Sequence, residues 1–148
     1  MSSYSAGSFA AATPVRVRFA ETDAQGIVHN SQYLVWFEVA RVDYLEQFAG
    51  GYPRLRGQGV EALVLESHVR YLQPARFDDR LVVRSRCVDL RGARFRYEYV
   101  VERDGDAIAD GWTAHACVDA TTFRPTRVPS WLVAAIAAAE SSSSPPSS

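Results

Sequence analysis

The sequence predicts an α+β domain in which an antiparallel sheet wraps around one long helix, and three patterns carry that prediction. Tyr33, Trp36, Phe37, Ala40, Tyr44 and Phe48 recur at i, i+3, i+4, i+7 spacing, with Leu34, Val39 and Leu45 widening the stripe into that of a helix surrounded by protein. After it come four alternating apolar and polar segments joined by short connections, and strands linked by hairpins must run antiparallel. A sheet with one apolar face needs a helix laid against it.

Taken in order, residues 1–13 are small and polar and are expected to form a disordered tail, residues 14–140 the domain, and residues 141–148 a second disordered tail of serine and proline. Val15, Val17 and Phe19 alternate with Arg16, Arg18 and Ala20, so a first strand should run directly into Glu21-Thr22-Asp23. Asn30 or Ser31 can offer a side-chain oxygen to cap the helix, and Gly50-Gly51 stops it. The segment GGYPRLRGQG reads as a connection with little regular structure. Strands follow over Leu63 to Tyr71, Leu81 to Leu90, Phe95 to Val101 and Ala107 to Ala120, the last two joined by a tight turn at Asp104-Gly105. Ser130 to Glu140 is alanine-rich and reads as a short helix anchored by Trp131 and Ile136. At 148 residues, 47% of them apolar, a single core suffices.

Composition narrows the function. A net charge of −1 and a pI near 6.3 give no basis for a nucleic-acid partner. No segment could span a bilayer and no secretory signal is evident, so a soluble cytoplasmic protein is expected. All basic residues other than histidine are arginine, which excludes lysine chemistry. Cys87 and Cys117 lie in separate strands and read as buried thiols, and His68 and His115 have no partner at metal-ligand spacing, so no metal is expected.

The candidate site is the turn before the helix. Asp23 stands between a strand and the amino end of a buried helix, where a carboxylate serves either as a solvated turn residue or as a reactive group. His29 reads as a site residue or as a helix-start histidine. Glu38 is a possible second carboxylate, although an i, i+3 pair with Arg41 also accounts for it. Arg84, Arg86, Arg91, Arg94 and Arg96 crowd one hairpin, either as phosphate ligands or as a solvated strand face.

The stretch ETDAQGIVHNSQYLVWFEVAR resembles the signature of the 4-hydroxybenzoyl-CoA thioesterase family of hotdog-fold acyl-CoA thioesterases. Asp23, Gly26, Ile27, Val28, Asn30, Tyr33, Phe37, Glu38, Ala40 and Arg41 match it. VRYLQPARFDDRLVV is similar to the family's second and third strands, with Pro74 and Asp79 at the turn. One branch of the family has a tyrosine four residues before the aspartate and a histidine seven after it, where this chain has Phe19 and Asn30, with His29 one place earlier.

The resemblance implies a hotdog fold and hydrolysis of an acyl thioester with Asp23 as nucleophile or general base. Gly26, His29, Asn30 and Tyr33 would position the substrate, and free amides near His29 and Asn30 at the helix start would hold the oxyanion. Glu38 would act from the facing subunit, and Arg91 and Arg94 would meet coenzyme A phosphates. It also implies a homodimer with its site at the interface, pairing into a homotetramer, and no cofactor. Acyl-carrier-protein thioesters, or non-catalytic binding of acyl thioesters, are the alternatives.

Overall fold

A computed structural model describes residues 8–143. β1 (Ala11–Arg16) is followed by a 3-10 turn (Phe19–Glu21), α1 (Gln32–Phe48), α2 (Tyr52–Arg56), β2 (Val60–Tyr71), β3 (Arg80–Arg91), β4 (Arg94–Arg103), β5 (Asp106–Asp119) and α3 (Ser130–Ser143). The five strands form one sheet in the order β1-β3-β4-β5-β2, every neighbouring pair antiparallel. α1 lies across its inner face with Tyr33, Trp36, Phe37, Ala40 and Tyr44 buried. This is the sheet-around-helix architecture that the sequence predicts.

The closest approach of helix to sheet fixes both sequences. Phe37 stacks on Tyr99 with ring centroids 4.1 Å apart. A Cβ at Gly111 would sit 2.9 Å from the Phe37 ring and 2.2 Å from the His68 carbonyl oxygen, so only glycine fits there. The predicted Asp104-Gly105 turn forms with both residues at positive φ, 53° and 86°, as a two-residue hairpin of this twist requires. α3 closes one end of the core through Leu132, Ile136 and Ala139, and its Glu140 carboxylate accepts hydrogen bonds from the Tyr44 hydroxyl and the Cys87 amide.

Several expectations need correction. The ordered chain starts before residue 14: β1 begins at Ala11 and Phe9 is buried, because Ala11 and Val15 pair across to Ser85 and Leu81. Residues 1–7 and 144–148 of the two expected tails lie outside the described residues, while Ser141 continues α3. The first strand does not run into Asp23. It ends at Arg16, and Phe19 is 76% exposed, edge-on to Phe77. The helix start carries no side-chain cap from Ser31, since its backbone is already in the helical region. The glycine-rich connection contains α2, started by Pro53 and anchored by buried Leu55.

α1 is not surrounded within one chain. Leu34, Val35, Val39 and Val42 are between 40% and 48% exposed. Beside them runs the sheet edge β2, whose register shifts between Val64 and Glu66, so that Leu63, Val64 and Leu65 are all exposed rather than alternating.

Candidate functional site

Residues 22–28 form a small hairpin in front of α1. Thr22 bridges to Val28, the Asp23 amide donates to the Ile27 carbonyl at 2.8 Å, and the Gly26 amide donates back to Asp23 at 3.0 Å. Gly26 is required at φ 81° for this reversal, although a Cβ there would touch nothing. The loop also aims the Asp23 carboxylate. Oδ1 accepts the amides of Gln25 at 2.8 Å and Ile27 at 3.4 Å, and among the described residues Oδ2 accepts nothing. The half-buried acid therefore keeps one oxygen fixed and one available.

Asp23, His29, Asn30 and Tyr33 line one open cleft of about 450 Å³, whose far wall is Tyr71, Leu72, Gln73 and Pro74. Arg103 braces that wall by donating to the Pro74 carbonyl and the Asp79 carboxylate, which also accepts the Arg76 amide. Tyr71 donates to the Asn30 carbonyl at 2.9 Å and packs edge-on against Tyr33 at 5.0 Å. Burial pushes the Tyr33 phenol pKa upward, so it stays protonated.

The amides at the helix start divide sharply. Those of Val28 and His29 are taken by the carbonyls of Ala75 and Glu21, both at 2.9 Å, so the expected use of the His29 amide as an oxyanion donor is corrected. Gln32, Tyr33 and Leu34 bond back to His29, Asn30 and Ser31. Among the described residues this leaves the amides of Asn30 and Ser31 without an acceptor, at the positive end of the helix dipole and beside the cleft.

Glu21 holds this arrangement, and sequence reasoning missed it. It is 5% exposed, and its carboxylate accepts the Arg18 amide at 2.7 Å, the Arg18 guanidinium at 3.3 Å, the Gln32 side chain at 2.7 Å and the Trp36 indole N–H at 3.3 Å. A buried carboxylate persists only with such donors. The available signal was an acid with Gln32 and Trp36 one turn apart on the facing helix.

The other nominated residues lie elsewhere. Glu38 is exposed and lines a second, partly open cavity of about 220 Å³ under the second half of α1, bounded by Arg41, Leu45, Leu55, Phe95, Tyr97 and Ile136 among others. No ion pair joins Glu38 to Arg41 among the described residues, because Arg41 turns inward to donate to the Tyr99 hydroxyl at 3.1 Å. Tyr99 meets Thr113 at 2.6 Å and Thr113 meets His115 Nε2 at 2.7 Å. Burial, assisted by the Arg41 charge, lowers the His115 pKa to about 4, so this histidine is neutral.

Arg91 and Arg94 face each other on the exposed β3–β4 turn, about 35 Å of strand from the Asp23 end of the sheet. Arg84 and Arg86 are committed to Glu102 and Glu98, and Arg96 covers the Trp112 ring. Cys87 and Cys117 are buried thiols whose pKa values burial raises, that of Cys117 to about 11. Among the described residues no three His, Cys, Asp or Glu side chains gather as for a metal, and no helix is long and apolar enough to cross a membrane.

The sequence profile described as the thioesterase-like superfamily matches residues 17–136. The chain belongs to that superfamily. Within it, the acyl-CoA thioesterase YbgC of Haemophilus influenzae is 31% identical over 123 residues, spanning 82% of this chain and 90% of the relative. A 1,4-dihydroxy-2-naphthoyl-CoA hydrolase of a Synechococcus strain is 30% identical over 130 residues, 80% of this chain and 86% of the relative. The crystal structure of the hypothetical protein TT1821 from Thermus thermophilus superposes with a TM-score of 0.81 at 38% identity, covering 86% of this chain and 97% of that one. The hotdog thioesterase fold is thus established for the superfamily member described here.

Proposed function

We propose that this chain hydrolyses acyl-CoA thioesters in a cleft where Asp23 faces the free amides of Asn30 and Ser31. The observation that carries the reading is that pairing: an acid with one uncommitted oxygen beside two unclaimed N–H donors at a helix start. A thioester carbonyl lying between them can be attacked on carbon while its oxygen gathers charge against the donors. A single such donor is worth about 3 to 4 kcal/mol in a transition state.

As nucleophile, Asp23 Oδ2 adds to the carbonyl, the C–S bond breaks, the coenzyme A thiolate leaves and takes up a proton, and water hydrolyses the resulting mixed anhydride. As general base, Asp23 takes a proton from water that attacks directly. Trapping of an acyl-Asp23 anhydride by hydroxylamine separates the two routes. His29 and Asn30 line the cleft where either side chain would reach the thioester, and neither route calls for a cofactor.

The assembly that completes the cleft is a homodimer. β2 presents an unpaired edge of exposed Leu63, Val64 and Leu65 next to the exposed apolar side of α1, an arrangement a second copy would cover. An antiparallel join of the two edges would also bring Glu38 of one protomer, and the arginines of its β3–β4 turn, toward the other's Asp23 end. The reading takes coenzyme A rather than a carrier protein as the thiol, in line with the coenzyme A thioesters named for the relatives. A cytoplasmic location suits this substrate.

The test is thiol release from a panel of short, long, branched and aromatic acyl-CoAs. Asp23→Asn should lower kcat about 10²- to 10⁴-fold with its melting temperature unchanged. Near-normal hydrolysis by that variant across the panel would reject the reading.

A further inference from the structure

We propose that Tyr71 is a positioning residue: by donating its hydroxyl hydrogen to the Asn30 carbonyl, it aims and strengthens the Ser31 amide on the other side of the same peptide bond. The inference rests on the thioesterase reading, in which that amide helps to hold the oxyanion.

A peptide group is planar and trans, so its carbonyl and its N–H point in opposite directions and turn together. Whatever fixes the Asn30 oxygen therefore fixes the Ser31 hydrogen. Two donors reach that oxygen, the Tyr71 hydroxyl at 2.9 Å and the Tyr33 amide at a longer 3.4 Å. The preceding peptide is held differently. Its carbonyl, on His29, accepts the Gln32 amide at 3.0 Å, so the first turn of the helix itself sets the direction of the Asn30 N–H. The two unclaimed amides thus have different supports: the helix steadies one, and a strand residue 41 positions further along the chain steadies the other.

The Tyr71 bond has only one possible direction. A carbonyl can only accept, so the phenol commits its one hydrogen there and has none to give to a leaving thiolate. Burial raises the Tyr71 pKa, which keeps that hydrogen in place. The phenol is also held from behind. Tyr71 ends β2 opposite Ala109, the next two amides both bond the Ile108 carbonyl, and the ring packs edge-on against Tyr33. A hydrogen bond into a carbonyl draws charge toward its oxygen and makes the N–H beyond it a better donor, by about 10 to 30% per bond. Because Tyr71 is 49% exposed, losing the bond costs the fold little, and the consequence falls on the amide.

The experiment removes the hydroxyl and keeps the ring. In Tyr71→Phe, kcat for acyl-CoA hydrolysis should fall roughly 5- to 30-fold with KM within about twofold, a smaller loss than the roughly 10²- to 10³-fold that follows removal of an oxyanion donor outright. A ring-fluorinated tyrosine at position 71, nearly the same shape but a stronger donor, should keep kcat at or above the wild-type value while its phenol is protonated. Nuclear magnetic resonance of the free protein reads the amide directly: the backbone nitrogen of Ser31 should move upfield in Tyr71→Phe while that of Asn30 stays in place. Wild-type kcat in Tyr71→Phe overturns the inference. So does a rise in KM alone, which would make the phenol a substrate contact. A fall in kcat with the Ser31 resonance unmoved overturns it too, since the loss would not pass through this amide. If the wild type hydrolyses no acyl-CoA, the thioesterase reading fails by itself, and the Ser31 resonance alone decides whether Tyr71 holds the amide.

Discussion

The two ends of α1 are built on opposite principles. At its amino end the helix meets an open cleft in which amides and one carboxylate oxygen are left free, while Glu21 below them is held by four donors. Under its second half lies a more sheltered, mostly apolar cavity with Glu38 at its exposed rim. One helix thus offers open polarity at one end and a more sheltered, more apolar hollow at the other. The contrast teaches that free polar groups and an apolar hollow are kept at separate ends of one helix in this molecule.

The largest effect should come from forcing the ends apart. Val64→Asp combined with Leu65→Asp puts charge on the β2 edge, and sedimentation should then show monomers with unchanged circular dichroism. Activity should fall about 10²-fold or more, since small misplacements of reacting groups already cost that much. A fully active monomer would break the comparison by showing that one chain supplies both ends.

A smaller effect, confined to the polar end, is expected from Glu21→Gln. The amide cannot accept all four donors, so the turn and the helix start should loosen. We expect kcat to drop about 10-fold or more with KM within about threefold, and stability to fall by about 1 to 3 kcal/mol, the cost of leaving a buried donor without its acceptor. A lower melting temperature with full kcat per folded molecule would make Glu21 a purely structural acid.

The smallest effect belongs to the cavity end and is read with pH. His115 has a folded pKa lowered to about 4 from an ordinary value of 6.5, so the unfolded chain binds the extra proton across that window. Its contribution is present above pH 6.5 and is lost as pH falls toward 4, on the order of 3 kcal/mol at most. Denaturant midpoints from pH 7 to 4 should fall in the wild type and fall less in His115→Asn.

What the sequence made legible follows from periodicity. The inward face of α1, the four hairpin-linked strands and the Asp104-Gly105 turn all stem from local spacing, and so does the placing of Asp23, Gly26, His29, Asn30 and Tyr33 around one turn. What remained hidden depends on neighbours distant in the chain. Glu21 looks like a solvated acid until Gln32 and Trp36 are seen above it. The His29 amide looks free until the Glu21 carbonyl reaches it. Leu34 and Val39 read as part of the buried stripe because hydrophobic spacing records which residues are apolar, not whether the same chain covers them.

The line from Arg41 through Tyr99 and Thr113 to His115 carries one more implication. The Leu63 carbonyl takes the ring hydrogen of neutral His115, so Nε2 accepts from the Thr113 hydroxyl, which in turn accepts from Tyr99, whose oxygen accepts from the donor-only Arg41 guanidinium. Every proton along the row faces the same way, and the ring is held as the tautomer with hydrogen on Nδ1, toward Leu63. A single backbone carbonyl on the edge strand β2 thereby sets the direction of a row of hydrogens that ends on the central helix, and turning that carbonyl away would free the whole row to reverse.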